Sequence, residues 1–217
     1  MSLRYTLIVG TKDWSSWSLR PYLALRHIGV PFQEERILLR RETSCPEILK
    51  YSPSGRVPVL KIEDDGGSYV VWDSLAICET LADRHPEARL WPDDPAARAT
   101  ARAYAAEMHS GFADLREQLS MDFARRLPLP VLREATRSQI ERIFDAWGSA
   151  LDKHPGGFLF GRFSIADCMY APVVSRFVTY GVEVPAGLRP YMERMMALPA
   201  MRDWAAASRA EVEAGLV

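Results

Sequence analysis

Two short segments carry residue types whose order suits the binding of an extended peptide. Gly55-Arg56-Val57-Pro58-Val59-Leu60 sets a proline immediately before an apolar run. Proline donates no backbone hydrogen bond, so it belongs at the first position of a strand, and X-Pro is the peptide bond that readily adopts cis. A cis Val57-Pro58 bond would turn the N–H and C=O of Val57 away from the sheet, free to pair with a ligand. Trp72-Asp73-Ser74-Leu75 places an acid and a hydroxyl at the start of a helix, where unpaired N–H groups and the positive dipole end attract a carboxylate. An ordinary N-cap accounts for the same pair. Together the two segments describe a site that holds a small peptide by its backbone and by a terminal carboxylate.

A third segment, Ser15-Ser16-Trp17-Ser18, lies between the first apolar run and the first helical stretch. Pro21 belongs in a first helical turn, where no N–H is needed, so the helix is expected to start near Trp17 or Ser18. A hydroxyl just ahead of it can donate to a thiolate while the helix dipole favours the same charge. Such help matters because a free thiol titrates near about 8.5 and is mostly neutral at physiological pH. Ser15 and Ser16 are the candidates, and simple capping by either serine is the alternative.

The elements that must position these groups fall into two patterns. In residues 1–84 short apolar runs alternate with helical stretches. Tyr5 to Val9 is followed by a helix ending near Ile28, where Gly29-Val30-Pro31 is a stop signal. Phe32 to Leu39 follows, then a short helix opened by Cys45-Pro46-Glu47. Asp64-Asp65-Gly66-Gly67 reads as the turn of a hairpin, and a helix runs from Ser74 to Arg84. The order β-α-β-α-β-β-α is that of an α/β sandwich. Residues 85–95, rich in proline, read as a linker.

Residues 96–217 read as all-helical. Ala101, Tyr104, Ala105, Met108, Phe112, Leu115 and Leu119 keep one helical period, and Leu132, Ile140, Ile143, Phe144, Trp147 and Leu151 another. Ser164-Ile165-Ala166-Asp167 is a capping box opening the run Met169 to Val178, apolar nearly all round and expected at the centre of this half.

Composition narrows the classes of function. The 217 residues carry a net charge of −1, and no clustered basic stripe suggests nucleic acid. No apolar run approaches a membrane span and no leader pattern opens the chain. Three cysteines, Cys45, Cys78 and Cys168, fit neither a disulfide framework nor a zinc site and suit a reducing cytoplasm. His27, His85, His109 and His154 have no ligand-spaced partners and are expected at surfaces or helix ends.

In this order and spacing the motifs resemble the cytosolic glutathione S-transferase superfamily over essentially the whole chain. Ser15-Ser16-Trp17-Ser18-Leu19-Arg20 is most similar to the zeta class, with Trp17 in place of its cysteine and Leu19 in place of its tryptophan. The resemblance implies a thioredoxin-like N-terminal domain, an all-α C-terminal domain, glutathione as co-substrate, no metal and a homodimer. It aligns Ser15 with the catalytic serine. It gives the γ-glutamyl carboxylate to Ser74, with Asp73 near the ammonium, and gives backbone pairing of the cysteinyl residue to Val57 beside Pro58. Arg40 or Arg41 is the candidate for the glycyl carboxylate, while Arg56, which precedes Val57, reads first as a solvated surface charge.

Met108, Phe112, Met121 and Phe123 are candidates for the electrophile pocket, with core packing as the alternative for each. Arg176 is a candidate there too, about one turn from where zeta enzymes carry a substrate-binding arginine. No cysteine stands at the strand-to-helix turn, which argues against a cysteine-based thiol transferase. The expected activity is transfer of the glutathione thiolate to a small electrophile. The alternatives are a glutathione-dependent cis–trans isomerase of the maleylacetoacetate type and a non-enzymatic interaction module.

Overall fold

A computed structural model describes residues 3–217. Strand β1 (Arg4–Gly10) leads through helix α1 (Ser16–Ile28) to β2 (Gln33–Ile37), and the short α2 (Ser44–Leu49) leads to the hairpin β3 (Val59–Asp64) and β4 (Gly67–Val71). The sheet order is β2-β1-β3-β4, with β1 parallel to β2 and antiparallel to β3. Helix α3 (Ser74–Arg84) closes this unit.

The pleat of β1 explains how the sheet is held. Tyr5, Leu7 and Val9 face α1 and α3, while Ile8 packs with Ile37, Ile48 and Val59 on the α2 side. Gly10 ends the strand where a Cβ would come within 2.6 Å of Leu39 and 2.9 Å of Val57. The absence of a side chain there lets Val57 sit against the end of β1.

Helix α1 begins earlier than expected. Ser15 is its N-cap and Ser16 its first residue, which puts Pro21 in the second turn. The cap won over the proline because the Ser15 side chain accepts from the Ser18 amide and so defines the first turn. Gly29 ends the helix in the left-handed conformation, its N–H bonded to the Leu25 carbonyl.

The remaining helices are α4 (Pro95–Ser110), α5 (Ala113–Gln118), α6 (Glu134–Lys153), α7 (Ile165–Tyr180), α8 (Arg189–Ala197) and α9 (Pro199–Glu213). The single period read from Ala101 to Leu119 is two helices. Gly111 leaves the helical conformation and Phe112 adopts φ 59°, so the chain turns between α4 and α5 while its apolar residues stay in the core. Helix α7 is buried along almost all of its length, as its composition predicts. It packs chiefly on α1 and α4, and one apolar core runs without interruption from the sheet to α9. Among the described residues no helix is long and apolar enough to cross a membrane.

Candidate functional site

A cavity of about 300 Å³ opens where the segment before β3, the start of α3, the first turn of α1 and the end of α4 meet. Ser54, Arg56, Val57 and Pro58 form one wall, and Trp72, Asp73 and Ser74 form the next. Trp17 and His109 close it from the helical side. The Val57-Pro58 bond is cis, as is Trp72-Asp73. Val57 and Pro58 precede Val59, the first residue of β3 paired with β1.

Asp73 caps α3, its Oδ1 accepting from the amides of Leu75 at 3.0 Å and Ala76 at 3.2 Å. Its Oδ2 lies 3.0 Å from Nε2 of His109, a contact that ties α3 to α4. Ser74 is different: it is fully buried and its Oγ has no hydrogen-bond partner. A buried polar atom without a partner is unusual enough to suggest a ligand. It stands at the first residue of a helix, where an anion is favoured.

Ser15 and Ser16 are both buried and neither lines the cavity wall. The Ser15 Oγ is 2.7 Å from the Ser18 Oγ, which in turn accepts from the Gly10 amide at 3.1 Å. If Ser18 donates its proton to Ser15, the Ser15 hydroxyl proton is left to point elsewhere, and the pair is a short relay rather than a closed one.

The chain matches the family models of the glutathione S-transferase N-terminal domain over residues 14–84 and C-terminal domain over residues 130–207. It is 30% identical over 182 residues to the maleylacetoacetate isomerase of Rattus norvegicus, covering 81% of this chain and 77% of that one. The chain belongs to the glutathione S-transferase superfamily. Glutathione S-transferase GstB of Escherichia coli K12 is 26% identical over 188 residues, covering 83% of this chain and 88% of its own. Among solved structures, a glutathione transferase homolog from Burkholderia gl BGR1 with bound glutathione is similar at a TM-score of 0.72. It is 26% identical, and the match covers 95% of this chain and 99% of that one.

Not all the candidates of this superfamily member meet at the cavity. Val57, Pro58, Asp73 and Ser74 do, joined by Arg56, which the sequence left open as a surface charge. Arg40 stands apart, in the left-handed region and stacked on the Trp14 ring at 4.2 Å. Met108, Phe112, Met121 and Phe123 all lie in the core. Arg176 is buried on α7.

Two histidines stand at helix ends, as expected, and are engaged there. His85 is buried and bonded to the Tyr5 hydroxyl at 2.8 Å, and His109 lines the cavity. His109 stands four residues after the buried Ala105 on α4, and that spacing was the available signal. Arg20 and Arg116 stack on the Trp17 ring at 4.2 and 4.8 Å; Arg20 closes the zeta-like segment, while Arg116 carried no signal beyond its charge.

Proposed function

We propose that the protein is a glutathione transferase that joins the glutathione thiolate to a small electrophile, with this cavity as its peptide site. The observation that carries the reading is the unpartnered Ser74 hydroxyl opening α3 in the same cavity as Val57. The Ser74 hydroxyl and the α3 amides hold the γ-glutamyl carboxylate. The Val57 backbone pairs with the cysteinyl residue, and Asp73 serves the ammonium end. The thiol then lies toward the turn between β1 and α1. Ser15, accepting from the Ser18 amide and hydroxyl, donates its own proton to sulfur and holds it as thiolate. In the step itself the S–C bond forms as the bond to the leaving group breaks, and the electron pair departs with that group.

The family models and the superfamily relatives support transfer. A second reading is favoured by the identity to a maleylacetoacetate isomerase: glutathione adds to a cis double bond, the bond rotates, and glutathione leaves unchanged. Both readings use the same cradle and take glutathione as co-substrate. The proposal extends to a cytoplasmic, symmetric homodimer acting in detoxification, with residues 1–84 as the peptide-binding domain, 85–95 as linker and 96–217 as the helical domain.

Ser15→Ala tests the catalytic assignment. Turnover should fall by about two to three powers of ten, the usual cost of one preorganised donor, and the pKa of bound glutathione's thiol should rise toward its free value. A role confined to capping predicts an unshifted thiol and a stability loss of about 1 kcal/mol. Transfer of the effect to Ser16→Ala would move the role to that serine.

A further inference from the structure

The turn that presents Ser15 has an acid on each side of the join between the two halves. Asp13 sits inside that turn, where the amides of Trp14 and Ser15 both bond back to the Thr11 carbonyl, at 3.1 and 2.8 Å. Asp13 is fully buried, and all but one of its polar atoms are engaged. Its amide donates to Glu211 of α9 at 3.0 Å, and its carbonyl accepts from the Phe123 amide at 3.1 Å. Its Oδ1 accepts from the Ala124 amide at 2.8 Å and from the Ser208 hydroxyl at 2.6 Å. The remaining atom, Oδ2, is buried without a partner.

Asp122, in the segment between α5 and α6, leaves the complementary atom open. Its Oδ2 is 3.2 Å from Nη1 of Arg125, while its Oδ1 is buried without a partner. The two carboxyl groups lie within hydrogen-bond reach of each other. Ionised carboxylates only accept, so no hydrogen bond joins these two unless one keeps its proton. Burial, then repulsion from Asp13, raises Asp122 above the usual carboxylate range, against the lowering pull of Arg125. The other charges around the turn have partners of their own: Glu211 pairs with Arg36, and Lys12 with Glu34. Helix α7 meets Asp122 through the Thr179 hydroxyl, which donates to its carbonyl at 2.8 Å.

We propose that Asp13 and Asp122 share one proton as a clamp across the two halves, and that this clamp positions the turn carrying Ser15. The inference rests on the glutathione transferase reading above, in which Ser15 meets the thiol. Phe123 and Ala124 directly follow Asp122, so their amide bonds to Asp13 and the carboxyl contact form one short closure. With the proton in place, Oδ1–H of Asp122 donates to Oδ2 of Asp13, a charge-assisted bond of the strong kind. As pH rises the proton goes to solvent, two buried carboxylates face each other, and the closure loosens. Because Asp122 is raised on folding, the clamp contributes fully below about 4 and is lost as pH rises through the folded value.

The test uses Asp122→Asn, whose side-chain N–H can donate to Oδ2 of Asp13 at any pH. Backbone hydrogen exchange is compared between this variant and the wild-type protein at matched pH, which cancels the intrinsic rate. The protection of the Ser15 and Ala124 amides, variant over wild type, should be smallest at the acid end of a series from about pH 4 to 8. It should rise by about tenfold at the alkaline end, the scale of a one-unit pKa shift. Asp122→Ala removes the bond and the repulsion together. It should be less protected than the wild-type protein in acid and should draw level with it as pH rises. A ratio that stays flat in Asp122→Asn, or a constant deficit in Asp122→Ala, overturns the shared proton.

Turnover of chlorodinitrobenzene with glutathione reads the positioning. The ratio of kcat, Asp122→Asn over wild type, should climb with pH alongside protection, while KM for glutathione stays level because Val57 and Ser74 set it. A protection ratio that climbs while the kcat ratio stays flat confines the pair to folding and overturns the positioning of Ser15. If the wild-type protein shows no turnover with glutathione, the transferase reading falls, and exchange at the Ser15 amide alone decides the clamp.

Discussion

Asp73 and Ser74 are neighbours with opposite local accounts. Asp73 has both carboxylate oxygens engaged, one on the α3 amides and one on His109, so its orientation is set by the fold before any ligand arrives. The Ser74 hydroxyl is buried with nothing to bond, and the proposed carboxylate would supply its partner. Ser74→Ala is therefore expected to leave the folded state little changed, because it removes a buried atom that had no partner. Glutathione affinity should fall by about 1–3 kcal/mol, the cost of leaving a charged group one hydrogen bond short. Isothermal calorimetry reads this directly, and an unchanged affinity would return Ser74 to a packing role.

Among the elements, α7 depends most on its first turn. Asp167 accepts from the Ser164 amide and hydroxyl at 2.9 Å each and from the Leu159 amide at 3.1 Å. Asp167→Ala leaves two buried amides without acceptors, at about 1–3 kcal/mol each, and denaturant unfolding should register a loss on that scale. Burial raises the Asp167 carboxyl to about 6, against the bonds from Leu159 and Ser164 that lower it. The folded form thus holds this proton at a pH where the unfolded chain has released it. The associated stability is present below about 4 and is lost as pH rises to about 6. The stability gap between wild type and Asp167→Ala should accordingly narrow across that window. A gap that widens there would reverse the assignment.

At the scale of the molecule, the last helix holds the turn that carries the candidate serines. Trp204 of α9 donates its indole N–H to the Lys12 carbonyl at 2.9 Å, and the Ser208 hydroxyl donates to Asp13 at 2.6 Å. Buried Glu211 accepts from the Asp13 amide and from Arg36. Residues near the C-terminus thus position the segment just ahead of Ser15, and the core joins both halves behind it. The proposed homodimer is checked by light scattering at micromolar concentration. Twofold association is the commonest closed symmetry of soluble oligomers, and twice the chain mass of 24.5 kDa is expected. A mass equal to one chain would reject it.

The sequence by itself determined the features whose physics is local. A proline before an apolar run, an acid and a hydroxyl opening a helix, a hairpin turn at Asp64-Asp65-Gly66-Gly67 and the Ser164–Asp167 capping box all act over a few residues. Their elements and their order followed, and with them the meeting of Val57, Pro58, Asp73 and Ser74 at one cavity. Local rules failed where two of them competed. The Ser15 cap overrode the expected place of Pro21, and the turn at Gly111-Phe112 divided a continuous helical period. Only the tertiary structure decided what lies across from that cavity wall. His109 reaches Asp73 from thirty-six positions away, and Arg116 reaches the Trp17 ring from a separate helix. A periodic pattern reports which face of a helix is buried. It carries no record of which buried charge meets another, because that depends on how the helices are packed together.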